Sequence, residues 1–212
     1  RMGNSDSRSL NFWTLDEYKQ FIQTMEPGTS YYLMFEILFW TGCRIGELLA
    51  ITKADINFEK NQLSINKTYY RTGMQDIITE PKTKQSFRTI EIPEFLKEEI
   101  KEFIDGHYGM PDTERLFPVV QEAVQHKMKR QIELAGVKKI RVHDLRLSHV
   151  AYLIEKGVEP LLIRDRLGHK DIRITLNTYG HLYPNQQRKI ANLLDNENGS
   201  DVTGLGEARD ES

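Results

Sequence analysis

Within residues 142–183, VHDLRLSHVAYLIEKGVEPLLIRDRLGHKDIRITLNTYGHLY, the chain sets out an imidazole, a guanidinium, a second imidazole and a phenol: His143, Arg146, His169 and Tyr179. These groups can together attack a phosphodiester. Direct displacement at phosphorus needs a nucleophile, an acid for the leaving alkoxide, cations on the non-bridging oxygens and an acceptor for the nucleophile's proton. Tyr179 can supply the nucleophile, and a phosphotyrosine would store the bond energy for religation. Arg146, with Arg44 from earlier in the chain, can make planar bidentate contacts to phosphate. Lys82 can protonate a leaving 5′-oxygen, His143 can exchange the phenolic proton, and His169 can donate to a phosphate oxygen. Each residue alone also has a plainer explanation. Arg44 can pair with Glu47 one turn on, turn lysines such as Lys82 and Lys84 are often only solubilising, and His149 can be a helix-packing side chain. A zinc site is disfavoured, because His143, His149 and His169 lack i, i+4 spacing and the chain has a single cysteine, Cys43.

The elements that must position these groups read mostly as helices. Thr14 and Glu17 form a capping-box pattern, which predicts a helix to near Met25, before Pro27-Gly28. Residues 30–40 are apolar nearly all round and predict a buried helix, interrupted by Thr41-Gly42-Cys43-Arg44. Arg44 then opens a new helix, where its charge opposes the dipole. Period-two alternation in 62–66, 76–79 and 88–92 predicts a three-stranded antiparallel sheet, with Lys82 and Lys84 at the turn between its last two strands. Amphipathic or apolar spacing predicts further helices over 94–107, 119–134, 143–156 and 160–167, with Gly136, Gly157 and Gly168 at their ends. Asp171 can cap a short helix to about Asn177, and 185–194 predicts a last amphipathic one. No internal repeat is evident.

Composition sets the outer bounds. The chain has 212 residues and a net charge of −2, enough for one large domain or two small ones. The charge is unevenly spread: residues 120–190 carry 14 Lys/Arg against 7 Asp/Glu, a balance of +7, and residues 195–212 carry 6 acids and one Arg, a balance of −5. A polyanion meets the local field rather than the sum, although charged helix faces are by themselves ordinary. No apolar run reaches membrane-spanning length, and a lone cysteine fits a reducing cytosol. The organisation expected is a linker remnant over 1–9, a catalytic domain over 10–196 and a disordered acidic tail over 197–212.

Five boxes, in order, carry a resemblance. TGCRIGELLAI, PKTKQSFRTIEIP, HDLR, RLGH and TLNTYGHL resemble the successive signature segments of the tyrosine recombinase, or phage integrase, catalytic domain, and the wording is most similar to integrases of conjugative transposons and phages. The resemblance covers about Leu10 to Leu194. It implies an α+β fold, mostly helical with a small three-stranded antiparallel sheet. It also implies a site-specific DNA recombinase that cuts and rejoins strands through a 3′-phosphotyrosyl intermediate, with neither metal nor other cofactor. By the same resemblance Arg44 and Arg146 clamp the scissile phosphate, Lys82 (preferred to Lys84) is the general acid, and His143 is the acid/base group. His169 binds phosphate, Tyr179 (rather than Tyr183) is the nucleophile, and Glu47 orients the basic groups. Leu147 stands where many members carry a second histidine. The partners implied are double-stranded DNA, three further copies in a tetramer, coupled through the 185–194 helix, and in some systems an excisionase, in a bacterial cytoplasm. Relatives carry an N-terminal core-binding domain, so a C-terminal piece of a longer protein is expected. The rival functions are a type IB topoisomerase-like relaxing enzyme and a non-catalytic DNA-binding module of the same fold.

Overall fold

The computed structural model describes residues 11–80, 87–171, 173, 177, 191–192 and 194–196. The first helix, α1 (Leu15–Ile22), starts on the predicted capping box: Glu17 N–H donates to Thr14 Oγ1 at 3.3 Å, and Thr14 N–H donates to Glu17 Oε2 at 2.8 Å. It ends a turn earlier than the spacing suggests, because Thr24 donates both its amide and its hydroxyl to the Phe21 carbonyl and turns the chain out of the helix. Helix α2 (Ser30–Thr41) is buried along most of its length, as its all-round apolarity requires. Its one acid, Glu36, accepts from Tyr18 Oη at 2.7 Å and Trp40 Nε1 at 2.8 Å, and Tyr18 stacks on Phe39. Burial raises the Glu36 carboxyl, and those two hydrogen bonds offset part of the rise.

The short helix α3 (Ile45–Leu48) follows a break at Gly42, and a 3-10 turn at Lys53–Asp55 leads into the strands. Here the sequence-based expectation needs correction. The three-stranded sheet consists of β1 (Ile56–Asn57), β2 (Gln62–Ile65) and β5 (Arg88–Glu91), all antiparallel in the order β1-β2-β5. Asp76–Thr79 does not belong to it. That segment lies in β4 (Gln75–Thr79), which pairs only with β3 (Thr68–Thr72) in a separate two-stranded ribbon. Gly73, at φ 60°, closes a tight turn that pairs β4 with its immediate neighbour in the chain. Residues 81–86, with Lys82 and Lys84, lie outside the described residues.

Helices α4 (Glu94–Asp105), α5 (Gln121–Ala135), α6 (Asp144–Glu155) and α7 (Pro160–Leu167) fall within a residue or two of the predicted spans. Helix α6 joins two apolar cores. Leu145 belongs to the main one, built from α1 to α5 and the sheet, whereas Leu147, Val150 and Ile154 pack with Ile163 and Leu167 of α7 in a second. Arg146 sits between Leu145 and Leu147, on the seam. Ala191, Asn192 and residues 194–196 are helical, but the rest of the 185–194 segment, together with the linker expected at 1–9 and the tail expected at 197–212, lies outside the described residues.

Gly42 caps α2 at φ 66°, a left-handed conformation that costs an L-residue about 1–2 kcal/mol. A Cβ there would also stand 2.6 Å from Cδ2 of buried His149. Gly42→Ala should therefore lower the melting temperature by roughly 5 °C or more. An unchanged thermal melt would contradict the packing of α2 against α6.

Candidate active site

The site is assembled around the C-terminal end of α2, where the last helical carbonyls have no partner within the helix. Two guanidiniums take them. Arg166, from α7, donates from Nη2 to the Trp40 carbonyl at 2.9 Å, and Arg146, from α6, donates from Nη1 to the Gly42 carbonyl at 2.6 Å. Arg146 Nη2 also donates to the Leu167 carbonyl at 2.7 Å, at the end of α7 that Gly168 caps in the left-handed conformation. One buried arginine thus ties together two helix C-termini, whose partial negative charge favours it. Arg166 is held further by the Glu91 carbonyl at 3.0 Å and by His149 Nε2 at 3.1 Å.

His149 is therefore the packing side chain that the sequence allowed. Because a guanidinium cannot lose its proton, the nitrogen facing Arg166 must accept, and the ring is neutral with its proton on Nδ1. Nδ1 turns toward the Phe39 carbonyl without reaching hydrogen-bond geometry among the described residues. Burial, then Arg166 and Arg146, push this imidazole down to about 3.

Arg44 is the N-cap residue of α3, so its side chain leaves the chain where the helix has barely begun. It does pair with Glu47: Nη1 donates to Oε1 at 2.8 Å, and its amide donates to Oε2 at 2.8 Å. Glu47 is the hub of a second, buried contact, to Arg88 on β5. Arg88 Nη1 donates to Oε1 at 3.1 Å, Nη2 donates to Oε2 at 2.8 Å, and Nε donates to the Arg166 carbonyl at 2.9 Å. Burial works to raise the Glu47 carboxyl, but Arg88 and then Arg44 outweigh it and hold the group down at about 2.

Two imidazoles lie within the field of these guanidiniums. His169, half-buried just past Gly168, is pushed down to about 4 by burial, then by Arg146, Arg44 and Arg88, with Glu47 opposing. His143, at the N-cap of α6 and exposed by area, is lowered by its crowded surroundings, then by Arg146, with Arg44 and Arg141 adding to the fall and Asp144 opposing it. Arg44 and Arg146, 102 positions apart in the numbering, therefore act on both imidazoles. Of the six candidate residues, Arg44, His143, Arg146 and His169 share one neighbourhood, while Lys82 and Tyr179 lie outside the described residues. Beside His143 opens a cleft of about 590 Å³ with an apolar floor that includes Ile45, Met128 and Val142, and a rim of Gln125, Lys129, Lys139 and Arg141. Among the described residues no cluster of three His, Cys, Asp or Glu side chains is placed to hold a metal. Cys43 is buried and held protonated, its thiol pushed up to about 11 by burial and by Glu47.

Sequence reasoning did not single out Arg88 or Arg166. Both carried a signal. Arg88 shares the inward period-two face of Ile90 on β5, and Arg166 lies three residues after Ile163 and beside Leu167, on the buried side of α7.

The fold is thus a mostly helical α+β domain that gathers two guanidiniums and two imidazoles in one neighbourhood. The chain belongs to the phage integrase family, which it matches over residues 11–186. It is 31% identical to the ICEBs1 integrase of Bacillus subtilis, over 89% of this chain and 55% of that protein. It is 29% identical to a XerC-like tyrosine recombinase of Caldanaerobacter subterraneus, over 84% and 52%. The chain thus spans about half the length of these relatives. Among solved structures, the Tn1549 transposon integrase in complex with a circular intermediate DNA superposes with a TM-score of 0.75 at 22% identity, over 92% of this chain and 68% of that one. XerA recombinase superposes with a TM-score of 0.66 at 22% identity, over 87% and 65%. These likenesses bear out the α+β, mostly helical fold class.

The fold holds His149 and His169 neutral, whereas an unfolded chain would protonate them near their ordinary 6.5. Their contribution to stability is complete above that pH and is lost as pH falls toward 3. The melting temperature should be flat above pH 6.5 and decline below it. NMR of the free protein should show His169 titrating near 4. A midpoint above 6 would remove the guanidiniums from its surroundings.

Proposed function

We propose that the chain is the catalytic part of a site-specific DNA recombinase, an integrase that cleaves and rejoins strands to integrate or excise a mobile element. The observation that carries this reading is the convergence of Arg44 and Arg146 on the neighbourhood of His143 and His169. Two cations and two imidazoles of lowered proton affinity leave a positive charge there that Glu47 only partly offsets. A phosphodiester fits it, and the transition state, with more charge on the non-bridging oxygens, fits it better.

In this reading Tyr179 Oη attacks phosphorus, a 3′-phosphotyrosyl bond forms, and the P–O5′ bond breaks. Lys82 gives a proton to the departing 5′-oxygen. His143 accepts the phenolic proton and returns it when a 5′-hydroxyl attacks in the reverse direction. Arg44 and Arg146 hold the non-bridging oxygens, with His169 donating a further hydrogen bond. Two carbonyls already hold Arg146, which fixes the direction of its fork before DNA arrives. The roles of Lys82 and Tyr179 rest on the KTK and TLNTY boxes of the sequence. The basic rim of the cleft beside His143 and the +7 balance of residues 120–190 suit a DNA backbone. The likeness to an integrase in complex with DNA supports the same partner. Assembly into a tetramer on DNA, docking through the 185–194 segment, control by an excisionase and action in a bacterial cytoplasm belong to this proposal too. No helix among the described residues is long and apolar enough to cross a membrane.

A duplex carrying the recombination site, nicked so that the cleaved end diffuses away, should trap a covalent protein–DNA complex, and Tyr179→Phe should abolish it. A complex that survives Tyr179→Phe would assign the nucleophile elsewhere. Arg146→Lys keeps the charge but loses the two-pronged hold on the Gly42 and Leu167 carbonyls, so single-turnover cleavage should slow by about 100-fold. Equal rates would exclude Arg146 from the phosphate site.

A further inference from the structure

The structure assigns Arg88 as a positioning residue: its buried guanidinium occupies Glu47 so that Glu47 can hold Arg44 in place without capturing it. The inference deepens the recombinase reading and rests on it. The Glu47 carboxylate is nearly enclosed, and its two oxygens receive four donors, two from each arginine. The two arginines are not equivalent. The Arg88 side chain is 6% exposed and meets the carboxylate fork to fork, whereas the Arg44 side chain is 41% exposed and meets it through Nη1 and the main-chain amide. Arg88 therefore supplies most of the buried counter-charge, and Arg44 is oriented by a single side-chain contact.

Without Arg88, a carboxylate in a low-dielectric site would have Arg44 as its remaining ion-pair partner among the described residues. It would draw that guanidinium inward, into direct competition with a phosphate. Stability alone does not explain the pair, since buried ion pairs can often be replaced by apolar side chains without loss. Arg88 also bonds the Arg166 carbonyl at 2.9 Å, and Arg166 bonds the Glu91 carbonyl at 3.0 Å. Strand β5, which follows the Lys82 segment, is thereby locked to α7 and α3 at one point. The groups facing this pair are Arg44, Cys43, Arg146, Arg166 and His169: Arg44, Cys43 and His169 feel the charge of Glu47, and Arg166 feels that of Arg88.

The test is single-turnover formation of the covalent complex on the nicked duplex, with DNA affinity measured separately. Arg88→Met should slow cleavage by about 10- to 100-fold, as loss of an orienting partner commonly does, while Kd for DNA stays within about threefold of the wild type. The deficit should shrink as pH falls from 8 to 5.5, because Glu47, deprived of Arg88, takes up a proton and releases Arg44. Arg88→Lys, which keeps the charge, should restore most of the rate. In a Glu47→Gln background, Arg88→Met should cost little more. A wild-type rate in Arg88→Met, or a loss independent of pH and undiminished in the Glu47→Gln background, would overturn the assignment.

If the wild-type chain forms no covalent complex, the recombinase reading fails by itself. The Arg88–Glu47 coupling is then read from melting temperatures. The gap between wild type and Arg88→Met should narrow from pH 7.5 to pH 4 and vanish in the Glu47→Gln background. A constant gap would overturn it.

Discussion

Everything in this domain depends on how the end of α2 is closed. A helix that ends inside the protein leaves carbonyl oxygens that water cannot reach, and each unpaired one costs on the order of 1–3 kcal/mol. Here the donors are guanidiniums: Arg166 on Trp40 and Arg146 on Gly42. Arginine suits the task because its charge is permanent, its donors are fixed in a plane, and one side chain can serve two acceptors at once. The Gly42 cap makes room for His149, whose ring fills the space a Cβ would occupy. The capping solution thereby delivers a positively charged, rigid group to the centre of the candidate site.

The charge this accumulates has to be balanced, and it is balanced asymmetrically. Glu47 is buried with Arg88 and reaches Arg44 at its edge. The imidazoles of His143 and His169 respond by remaining unprotonated, since a further cation beside two guanidiniums is unfavourable. A neutral imidazole can donate one hydrogen bond and accept another, which a protonated one cannot. The positive field thus keeps both histidines in a state that can donate one hydrogen bond and accept another. In the proposed recombinase reading, an arriving phosphate would raise their proton affinity.

Much of this was legible from residue types and spacing. The capping box at Thr14, the glycine stops at Gly136 and Gly168, and the helical spans of α4 to α7 follow from local rules, and the structure agrees. The Arg44–Glu47 pair and the packing role of His149 were both open readings, and both contacts are present. For Arg44, the pairing leaves the proposed site role open to it, because Glu47 engages the guanidinium at one nitrogen. What was not legible is non-local. Alternation cannot say which strand pairs with which, so β4 was assigned to the wrong sheet. Nor can spacing say that Arg88 and Glu47, 41 positions apart, meet in a buried fork. The period-two face shared by Arg88 and Ile90 marks an inward charge, but only the fold supplies its partner.

The position of Arg146 carries one more consequence. It lies on α6 between a residue of the main core and a residue of the second core, and its two carbonyl partners belong to different bodies, Gly42 to the first and Leu167 to the second. Any shift of α7 against α2 must stretch one of those bonds. His169 follows Leu167 by two residues, so the geometry of the second imidazole is tied to the same joint. A site whose arginine straddles a seam between two packed cores is sensitive to whatever moves that seam. In this chain the seam is closed by buried hydrogen bonds to one guanidinium, and by Arg166 bonding β5, α2 and α6 from the other side. These bonds hold Arg146 in one orientation and tie α7 to the end of α2.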